Sequence, residues 1–414
     1  MPTITDLRAR VVINSRGERT IESEVFIGRS MGRFSAPSGA SIGTFEAPAF
    51  PSGGIKEALR IINDDIKPKL VGFKFSKQEE VDALLREIDG TENYSRLGSS
   101  AAISISIATA EAASKSLEIP LYKWILNKRS PTIPIPLGNI VGGGKHAGGR
   151  ASDIQEFLAF PINLNSVKEC IYSLIELHKR VGKKLAKRDE FFLGGRNDEG
   201  AWVSSLPETE ILNIIHEAAN EIKREKGVKF GFGIDFAATS LWDNSTKLYV
   251  YERSGKFRTR EEQIEFVLGL IDHFRLLYVE DPLNDQDFQG FKEIAERVKG
   301  VLVCGDDLYV TNISRLMLGT HEKAGNCVII KPNQVGDLTE SEKAVNLARD
   351  KKFKIVVSHR SGETPTYHLA HIAVGFSSDF IKAGVVGGER VAKLNELIRI
   401  EEELGEGKLA KVKF

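Results

Sequence analysis

A repeated pattern of short apolar segments and amphipathic stretches runs from residue 229 to residue 384 and limits the folds open to this chain. The apolar segments lack the alternation of a half-exposed strand, which indicates strands covered on both faces. Strands of this kind, separated by helices, are typical of a parallel sheet with helices on both sides. The segments, each ending at or near a polar residue, are KFGFGID, RLLYVED, GVLVCGDD, NCVIIKP, KFKIVVSHR and SDFIKAG.

Two further strands are predicted ahead of this repeat, in the segments TIPIPLGNI and DIQEFLAFPI, and they bring the total to eight. Eight strands separated by helices fit a closed (β/α)8 barrel better than an open doubly wound sheet. We therefore predict an α/β fold in which residues 129–414 form a TIM-like barrel that carries the catalytic groups.

Residues 1–128 follow a different pattern from the rest of the chain. The segment ARVVINSRGERTIESEVFIG indicates a hairpin or meander, whereas KQEEVDALLREIDG and SAAISISIATAEAASKSLEI have helical character. The proline-containing segment LNKRSPTIPIP is the predicted linker. These patterns predict an N-terminal α+β capping domain over residues 1–128, built from an antiparallel meander and helices.

The overall composition excludes several classes of function. Lysine plus arginine and aspartate plus glutamate number 57 each, so the net charge favours neither nucleic acid nor an anionic membrane as a partner. We find neither a signal-peptide core nor an apolar run of about 20 residues, so we expect no membrane span and a cytoplasmic location. Three scattered cysteines argue against a disulfide framework or a zinc site.

Polar residues end the predicted barrel strands. The active site of such a barrel lies at the carboxyl ends of its strands, so these side chains should meet at one mouth. One aspartate after a strand is commonly only a helix cap. Three carboxylates followed by two lysines in successive units are harder to explain in that way. The strand-end residues are Asp235, Glu280, Asp306, Lys331, His359 and Lys382.

Convergent carboxylates without cysteine or paired histidines suit a hard divalent cation, and Mg²⁺ is the first expectation. For Lys331 and Lys382, partial desolvation and neighbouring positive charge can lower the lysine pKa toward neutrality, where the amine acts as a base. The alternative is a lysine that only pairs with one of the carboxylates. A metal held by carboxylates beside a strand-end lysine fits removal of a proton next to a substrate carboxylate.

Short motifs also occur in a fixed order along nearly the whole chain. They are SGASIG at 38–43, DGTEN at 89–93, GGGKHAGG at 142–149, DIQEF at 153–157, DEG at 198–200, VEDP at 279–282, GDD at 305–307, IKPNQVGDLTE at 330–340, SHRSGET at 358–364 and KLNELIRIEEELG at 393–405. In this order they resemble the motifs of the enolase family.

This resemblance implies a barrel of the enolase type and a lyase that reversibly dehydrates 2-phosphoglycerate to phosphoenolpyruvate, in glycolysis and gluconeogenesis. It also implies two Mg²⁺ ions per active site and a homodimer or higher homo-oligomer. A secondary cell-surface or secreted pool, as in some enolases, is a further expectation of the resemblance.

The resemblance assigns roles to individual residues. Asp235, Glu280 and Asp306 would hold the first Mg²⁺, and Ser41, on a mobile loop, would help hold the second. Lys331 would remove the α-proton, and Lys382 would neutralise charge on the substrate carboxylate.

On the other side of the substrate, the resemblance places the acid chemistry and the phosphate. Glu199 would protonate the departing hydroxyl with Glu156 beside it, and His359 would lie next to the carbon that loses hydroxide. Arg360 and Ser361 are expected to bind the phosphate. His146 would lie on a closing loop near the phosphate and the leaving group, and Gln155 would support the pocket by hydrogen bonding. Asp307 would be a partner of the lysine or the metal.

Alternative interpretations remain at this level. His368 and His371 have the spacing of a metal pair, but no third ligand is evident. A related dehydratase or ammonia-lyase of the same superfamily would share the metal carboxylates, and a noncatalytic scaffold would leave no mark in the sequence. Several positions depart from the usual family pattern and bear on loop closure and assembly rather than on chemistry: Asn14, Ile42, Gly387 and Gly388.

Overall fold

An antiparallel three-stranded sheet opens the chain in the computed structural model, which describes residues 1–39, 43, 45–126 and 129–414. Its strands are β1 (Asp6–Ile13), β2 (Arg19–Ile27) and β3 (Ser30–Ser35), and helices α1 (Gly54–Ile61), α2 (Lys67–Leu70), α3 (Gln78–Asp89), α4 (Ser99–Ser116) and α5 (Leu121–Leu126) follow.

Helix α4 packs against β2 and β3 and is buried on nearly all sides. Its small residues allow the close approach, and Gly32 shows how tight the contact is, since a Cβ there would lie 2.0 Å from the carbonyl oxygen of Ala108. The sheet and these helices match the meander and helices predicted for this region. The predicted boundary after residue 128 falls at residues 127–128, outside the described residues, and the division into domains stays a prediction.

Eight strands form the closed barrel, in two groups along the chain. The first group precedes a small antiparallel sheet of β7–β9, and the second follows it. The eight barrel strands are β4 (Ile135–Gly142), β5 (Glu156–Pro161), β6 (Phe230–Asp235), β10 (Tyr278–Glu280), β11 (Leu302–Gly305), β12 (Cys327–Ile330), β13 (Lys354–Ser358) and β14 (Phe380–Lys382). The small sheet consists of β7 (Trp242–Asp243), β8 (Leu248–Tyr251) and β9 (Lys256–Arg258).

The predicted eight-stranded, TIM-like barrel is confirmed, but the expectation of an all-parallel sheet is wrong for β5. This strand runs antiparallel to both β4 and β6. The connection from β4 to β5 contains only a short 3₁₀ turn, Gly144–His146, whereas a parallel pair needs a longer crossover, usually through a helix. The start of β5 therefore lies at the mouth of the barrel, where Glu156 pairs in register with Asp235.

The helices around the barrel begin where the sequence supplies side-chain caps. The residues before α6, α8, α9, α10 and α11 each accept a hydrogen bond from a backbone N–H of the first turn: Ser166, Thr259, Asp287, Asn312 and Asp337. The helices are α6 (Val167–Arg188), α7 (Glu208–Lys226), α8 (Arg260–Phe274), α9 (Phe288–Arg297), α10 (Ile313–Glu322), α11 (Leu338–Asp350), α12 (His368–Gly375) and α13 (Gly388–Leu404). Within the described part of the chain, none of them combines the length and apolar character that crossing a membrane requires.

Candidate active site

The mouth of the barrel holds a polar cavity. Asp235, Glu280 and Lys382 are the last residues of β6, β10 and β14, and Asp306, Lys331 and His359 directly follow β11, β12 and β13. The cavity is lined by five of these residues together with predicted site residues from other segments: His146, Gln155, Glu156, Glu199, Asp235, Asp306, Asp307, Lys331, His359, Arg360, Ser361 and Lys382.

Lys382 is the centre of one group of charges. Its Nζ lies 3.0 Å from Oδ2 of Asp235, 2.9 Å from Oε1 of Glu280 and 3.1 Å from Oε2 of Glu156. Gln155 also donates from Nε2 to Oδ2 of Asp235, at 3.3 Å. Burial lowers the pKa of Lys382, but the surrounding carboxylates raise it by more, so this ammonium stays charged.

Lys331 forms a second group with Asp306, to whose Oδ2 its ammonium donates a hydrogen bond. Burial lowers the pKa of Lys331, but the Asp306 carboxylate raises it by more, and the net shift is upward. The expected lowering toward neutrality is therefore wrong for both Lys331 and Lys382, because carboxylates pair directly with each ammonium. Gln334 donates to the other oxygen of Asp306, at 3.1 Å.

The carboxylates proposed to hold magnesium fit a hard cation by their chemistry. Burial and the neighbouring Asp235 raise the pKa of Glu280 to about 8, which marks a site with more negative charge than its lysines offset. Oxygen ligands are those that Mg²⁺ prefers. Among the described residues, two sets of three have ligand atoms within 4.8 Å of one another: His146–Glu156–Glu199 and Asp281–Asp306–Asp307. Neither set combines Asp306 with Asp235 and Glu280.

Glu199 is held on the other side of the cavity by the DEG turn. The side-chain oxygen of Asn197 accepts the backbone N–H of Glu199 at 3.0 Å. Gly200 has a φ of 81°, and a Cβ there would lie 2.1 Å from the carbonyl oxygen of Val386, so the turn requires glycine. Asn139 donates from Nδ2 to Oε2 of Glu199 at 3.0 Å.

Two imidazoles face the Glu199 carboxylate. His359 Nε2 lies 3.4 Å and His146 Nδ1 lies 3.6 Å from Oε1 of Glu199. Burial lowers the pKa of His359 to about 3, and burial also lowers the pKa of His146, so both rings are neutral at pH 7.

Glu156 and Glu199 form a carboxyl pair on this wall. Burial and the charge of Glu199 raise the pKa of Glu156 well above its ordinary value. Burial also raises the pKa of Glu199, but the imidazoles of His146 and His359 offset this effect, and its pKa is lowered. Two close carboxyl groups repel each other when both are ionised, so we expect a proton bound by this pair to reside on Glu156.

Arg360 and Ser361 follow His359 in the loop after β13. The guanidinium of Arg360 forms a fork with Glu46, with both N–O distances at 3.1 Å, and both side chains are almost completely buried. This geometry is the one in which arginine binds planar anions. Glu46 also accepts the backbone N–H of Gly43 at 3.1 Å, which connects the fork to the segment around SGASIG.

The loop that carries His146 is braced from the small β7–β9 sheet. Arg253 donates to the carbonyl oxygens of Ala151 at 2.7 Å and Ser152 at 2.5 Å, and its backbone N–H donates to Asp153 at 3.1 Å. A second guanidinium nitrogen donates to the carbonyl oxygen of Ala147, the residue after His146, at 3.2 Å.

Replacing Arg253 with alanine should lower kcat/KM by roughly 10- to 100-fold, because the loop that positions His146 loses these contacts. Arg253→Lys, which retains one donor group, should recover part of the loss. Steady-state kinetics of both variants against wild type checks this, and unchanged kinetics in the alanine variant would show that the brace does not matter for the reaction.

The predictions for Ser41 and for the pair His368 and His371 have different outcomes. Ser41 lies outside the described residues, so its assignment is untouched. The histidines considered as a zinc pair contact separate carboxylates, with His368 3.2 Å from Glu111 and His371 2.9 Å from Glu396, and these contacts support a structural role.

Sequence reasoning missed several side chains that touch the site residues. Asn139 lies inside an apolar strand and Arg253 in a hairpin more than a hundred positions from the loop it braces. Glu46 follows the SGASIG motif and Arg390 lies in the GGER segment. The proximity of these charged residues to the two segments is the signal that could have identified them. Their partners are distant in sequence, and no local periodicity signals such contacts.

Comparison with known proteins gives one consistent family. Residues 4–125 match the family described as Enolase, N-terminal domain, and residues 130–412 match Enolase, C-terminal TIM barrel domain. The enolase of Methanosphaera stadtmanae is 45% identical over 402 residues, covering 97% of each chain. Other similar proteins are the enolases of Pyrobaculum aerophilum, 45% identical over 408 residues with 97% of each chain covered, and Methanothermobacter thermautotrophicus, 43% identical over 412 residues with 99% covered.

Proposed function

The chain belongs to the enolase family and is a phosphopyruvate hydratase, a Mg²⁺-dependent hydro-lyase, and from this premise we propose how its residues divide the reaction. The reaction removes the α-proton and the β-hydroxyl of 2-phosphoglycerate to form phosphoenolpyruvate, and it is reversible. In our proposal Lys331 is the base, and Glu199, with Glu156, is the acid.

The observation that carries this division is the position of the two groups in the barrel. Going round the barrel from β12, the strands are β13, β14, β4 and then β5, so β12 and β5 are opposite each other. Lys331 directly follows β12, and Glu156 begins β5 at the same mouth because β5 runs antiparallel to its neighbours. A substrate between them meets a base on one side and a proton donor on the other.

Lys331 must lose a proton before it can act as base. Its raised pKa arises from the contact with Asp306, whereas burial and the neighbouring charges of Arg360 and Lys382 lower the pKa. If Asp306 held Mg²⁺, its carboxylate charge would be shared between the ion and the lysine. We propose that Lys331 then becomes a base of suitable strength and takes the α-proton.

The residues proposed to hold Mg²⁺ are Asp235, Glu280 and Asp306, with Ser41 for a second ion. When bound, Mg²⁺ supplies positive charge next to the substrate carboxylate, where electron density collects as the α-proton leaves. Lys382 adds a buried ammonium on the same side, within 3.0 Å of Asp235 and Glu280. We propose that it pairs with the substrate carboxylate.

The proposed acid, Glu199 with Glu156, acts on the β-hydroxyl of the substrate. We propose that the Glu156–Glu199 pair carries a proton, that Glu199 delivers it to the departing oxygen, and that His359 lies beside the same carbon. His146 is proposed to contact the phosphate and leaving group, and Gln155 to keep Asp235 in position through the bond at 3.3 Å. Arg360 and Ser361 are proposed to bind the phosphate, for which a guanidinium fork is well suited.

The experiment that tests the function follows the ultraviolet absorbance of phosphoenolpyruvate as it forms from 2-phosphoglycerate. Purified wild-type protein should show turnover with Mg²⁺, none after EDTA treatment, and full recovery when Mg²⁺ is added in excess. Absence of turnover under all three conditions would contradict the assignment. Testing acid-sugar substrates in parallel separates this enzyme from the dehydratases and lyases of the same superfamily.

Metal binding can also be measured without turnover, from the thermal stability of the protein. Mg²⁺ that binds only the folded protein should raise the melting temperature in a concentration-dependent way. Asp306→Asn should weaken this rise strongly, because an amide replaces a charged ligand. The matched control is Asp350→Asn at the end of α11, which should keep the wild-type response. An equal rise in the Asp306 variant would argue against its role as a ligand.

We further propose that the protein works in the cytoplasm and assembles as a homodimer or a higher homo-oligomer. Similarity to enolases over nearly the whole chain supports both statements. Light scattering coupled to size-exclusion chromatography measures the assembly directly, and a monomer at micromolar concentration would contradict that part of the proposal.

A further inference from the structure

Arg390, near the start of α13, is completely buried and contacts three consecutive residues of the loop after β13. Its Nη1 lies 2.7 Å from Nδ1 of His359 and donates to the carbonyl oxygen of Arg360 at 2.6 Å. Its Nη2 donates to the carbonyl oxygens of Ser361 at 2.7 Å and Asp198 at 2.8 Å. One guanidinium therefore connects the segment proposed to bind phosphate with the turn that carries the proposed acid.

The contact between Arg390 and His359 decides where the imidazole carries its proton. A guanidinium has only donors and does not lose its charge in proteins. Nδ1 of His359 must therefore accept, which leaves the single ring proton on Nε2. That nitrogen lies 3.4 Å from Oε1 of Glu199.

We propose that Arg390 is a positioning residue that fixes His359 as its neutral Nε2–H tautomer, so that the ring presents a donor to Glu199 and cannot itself serve as the proton source for the leaving hydroxyl. A second proton on the ring would go to Nδ1, where it would meet the N–H of Arg390. A neutral imidazole is too weak an acid to deliver its Nε2 proton. This inference rests on the proposed role of Glu199 as the acid and adds what holds that carboxylate in place.

The contacts of Arg390 also bear on substrate binding. The carbonyl oxygens of Arg360 and Ser361 are held by the guanidinium that also holds Asp198, the residue before Glu199. Loss of the guanidinium should therefore disturb phosphate binding and acid chemistry together. A residue that only stabilised the fold would change the amount of active protein but not KM.

The first test needs no substitution. In wild-type protein labelled with ¹⁵N-histidine, proton–nitrogen correlation spectra at neutral pH distinguish the two neutral tautomers from imidazolium, and His359→Asn assigns the signal. We expect His359 as the neutral Nε2–H form. An Nδ1–H tautomer or an imidazolium would overturn the proposal, whether or not the protein converts 2-phosphoglycerate, so this outcome is separate from the fate of the proposed function.

The second test uses variants. Arg390→Met removes all donors and should give a mixture of tautomers, a fall in kcat of roughly 10- to 100-fold and a higher KM for 2-phosphoglycerate. Arg390→Lys should recover part of kcat, since it retains a charged donor. The control is Arg349→Met, because Arg349 also donates to backbone carbonyls, those of Phe376 and Ser377, outside the cavity lining. A wild-type His359 spectrum in the methionine variant would also overturn the proposal, and if that variant does not fold, the wild-type spectrum decides.

Discussion

Replacing Lys331 with alanine should lower kcat by roughly 10²- to 10⁴-fold, the range that a positioned acid or base contributes. The same substitution should stop exchange of the substrate α-proton with solvent, because the proposed base is gone. The barrel geometry explains why another lysine does not take over. Lys382 is surrounded by Asp235, Glu280 and Glu156, which keep it protonated.

Two measurements check the Lys331 prediction. Turnover is followed by phosphoenolpyruvate absorbance, and exchange is followed by NMR of 2-phosphoglycerate in D₂O. Lys354→Ala is the matched control, since Lys354 lies at the opposite end of β13 and pairs with Asp379 at 2.8 Å, and this variant should behave like wild type. Retained exchange in Lys331→Ala would assign the base to a different group.

Glu199→Gln should lose net dehydration but keep exchange of the α-proton. The amide cannot deliver a proton to the hydroxyl, whereas Lys331, which directly follows β12, the strand opposite β5, is proposed to act before the hydroxyl leaves. We expect turnover to fall by roughly 10²- to 10⁴-fold, with exchange within about tenfold of wild type. The amide still accepts and donates hydrogen bonds, so the contact with Asn139 at 3.0 Å can persist after the amide orients.

The neighbouring residue provides the control for this second prediction. Asp198 faces outward, where its Oδ2 lies 3.1 Å from Nη1 of Arg16, so Asp198→Asn should leave both dehydration and exchange unchanged. Simultaneous loss of dehydration and exchange in Glu199→Gln would contradict the division between base and acid, and would favour a role for Glu199 in holding the substrate or the metal ligands.

Much of the candidate site was predictable because its residues end strands. An apolar segment followed by a carboxylate or a lysine is visible in the sequence, and the barrel rule brings such ends to one mouth. The position of Asp235, Glu280 and Lys382 follows from this reasoning alone, and in the structure the Lys382 ammonium lies within 3.0 Å of both carboxylates.

Other features could not be predicted from local pattern. The pKa of Lys331 depends on the side chain that faces it, and the contact with Asp306 reversed the expected direction. The role of Glu46 beside Arg360 depends on residues more than three hundred positions apart. Such contacts follow from the packing of the closed barrel and the N-terminal residues, which no single segment encodes.

The sequence by itself determined the eight strands, the residues that end them and the motifs that identify the family, because these depend on local periodicity and residue type. Only the tertiary structure decided the direction of β5, and with it the position of Glu156 opposite β12. It also decided that Arg390 reaches His359, since a buried guanidinium takes whichever acceptors the fold brings within hydrogen-bond distance. The strand ends supply the chemical groups, and the closed barrel sets which of them face each other.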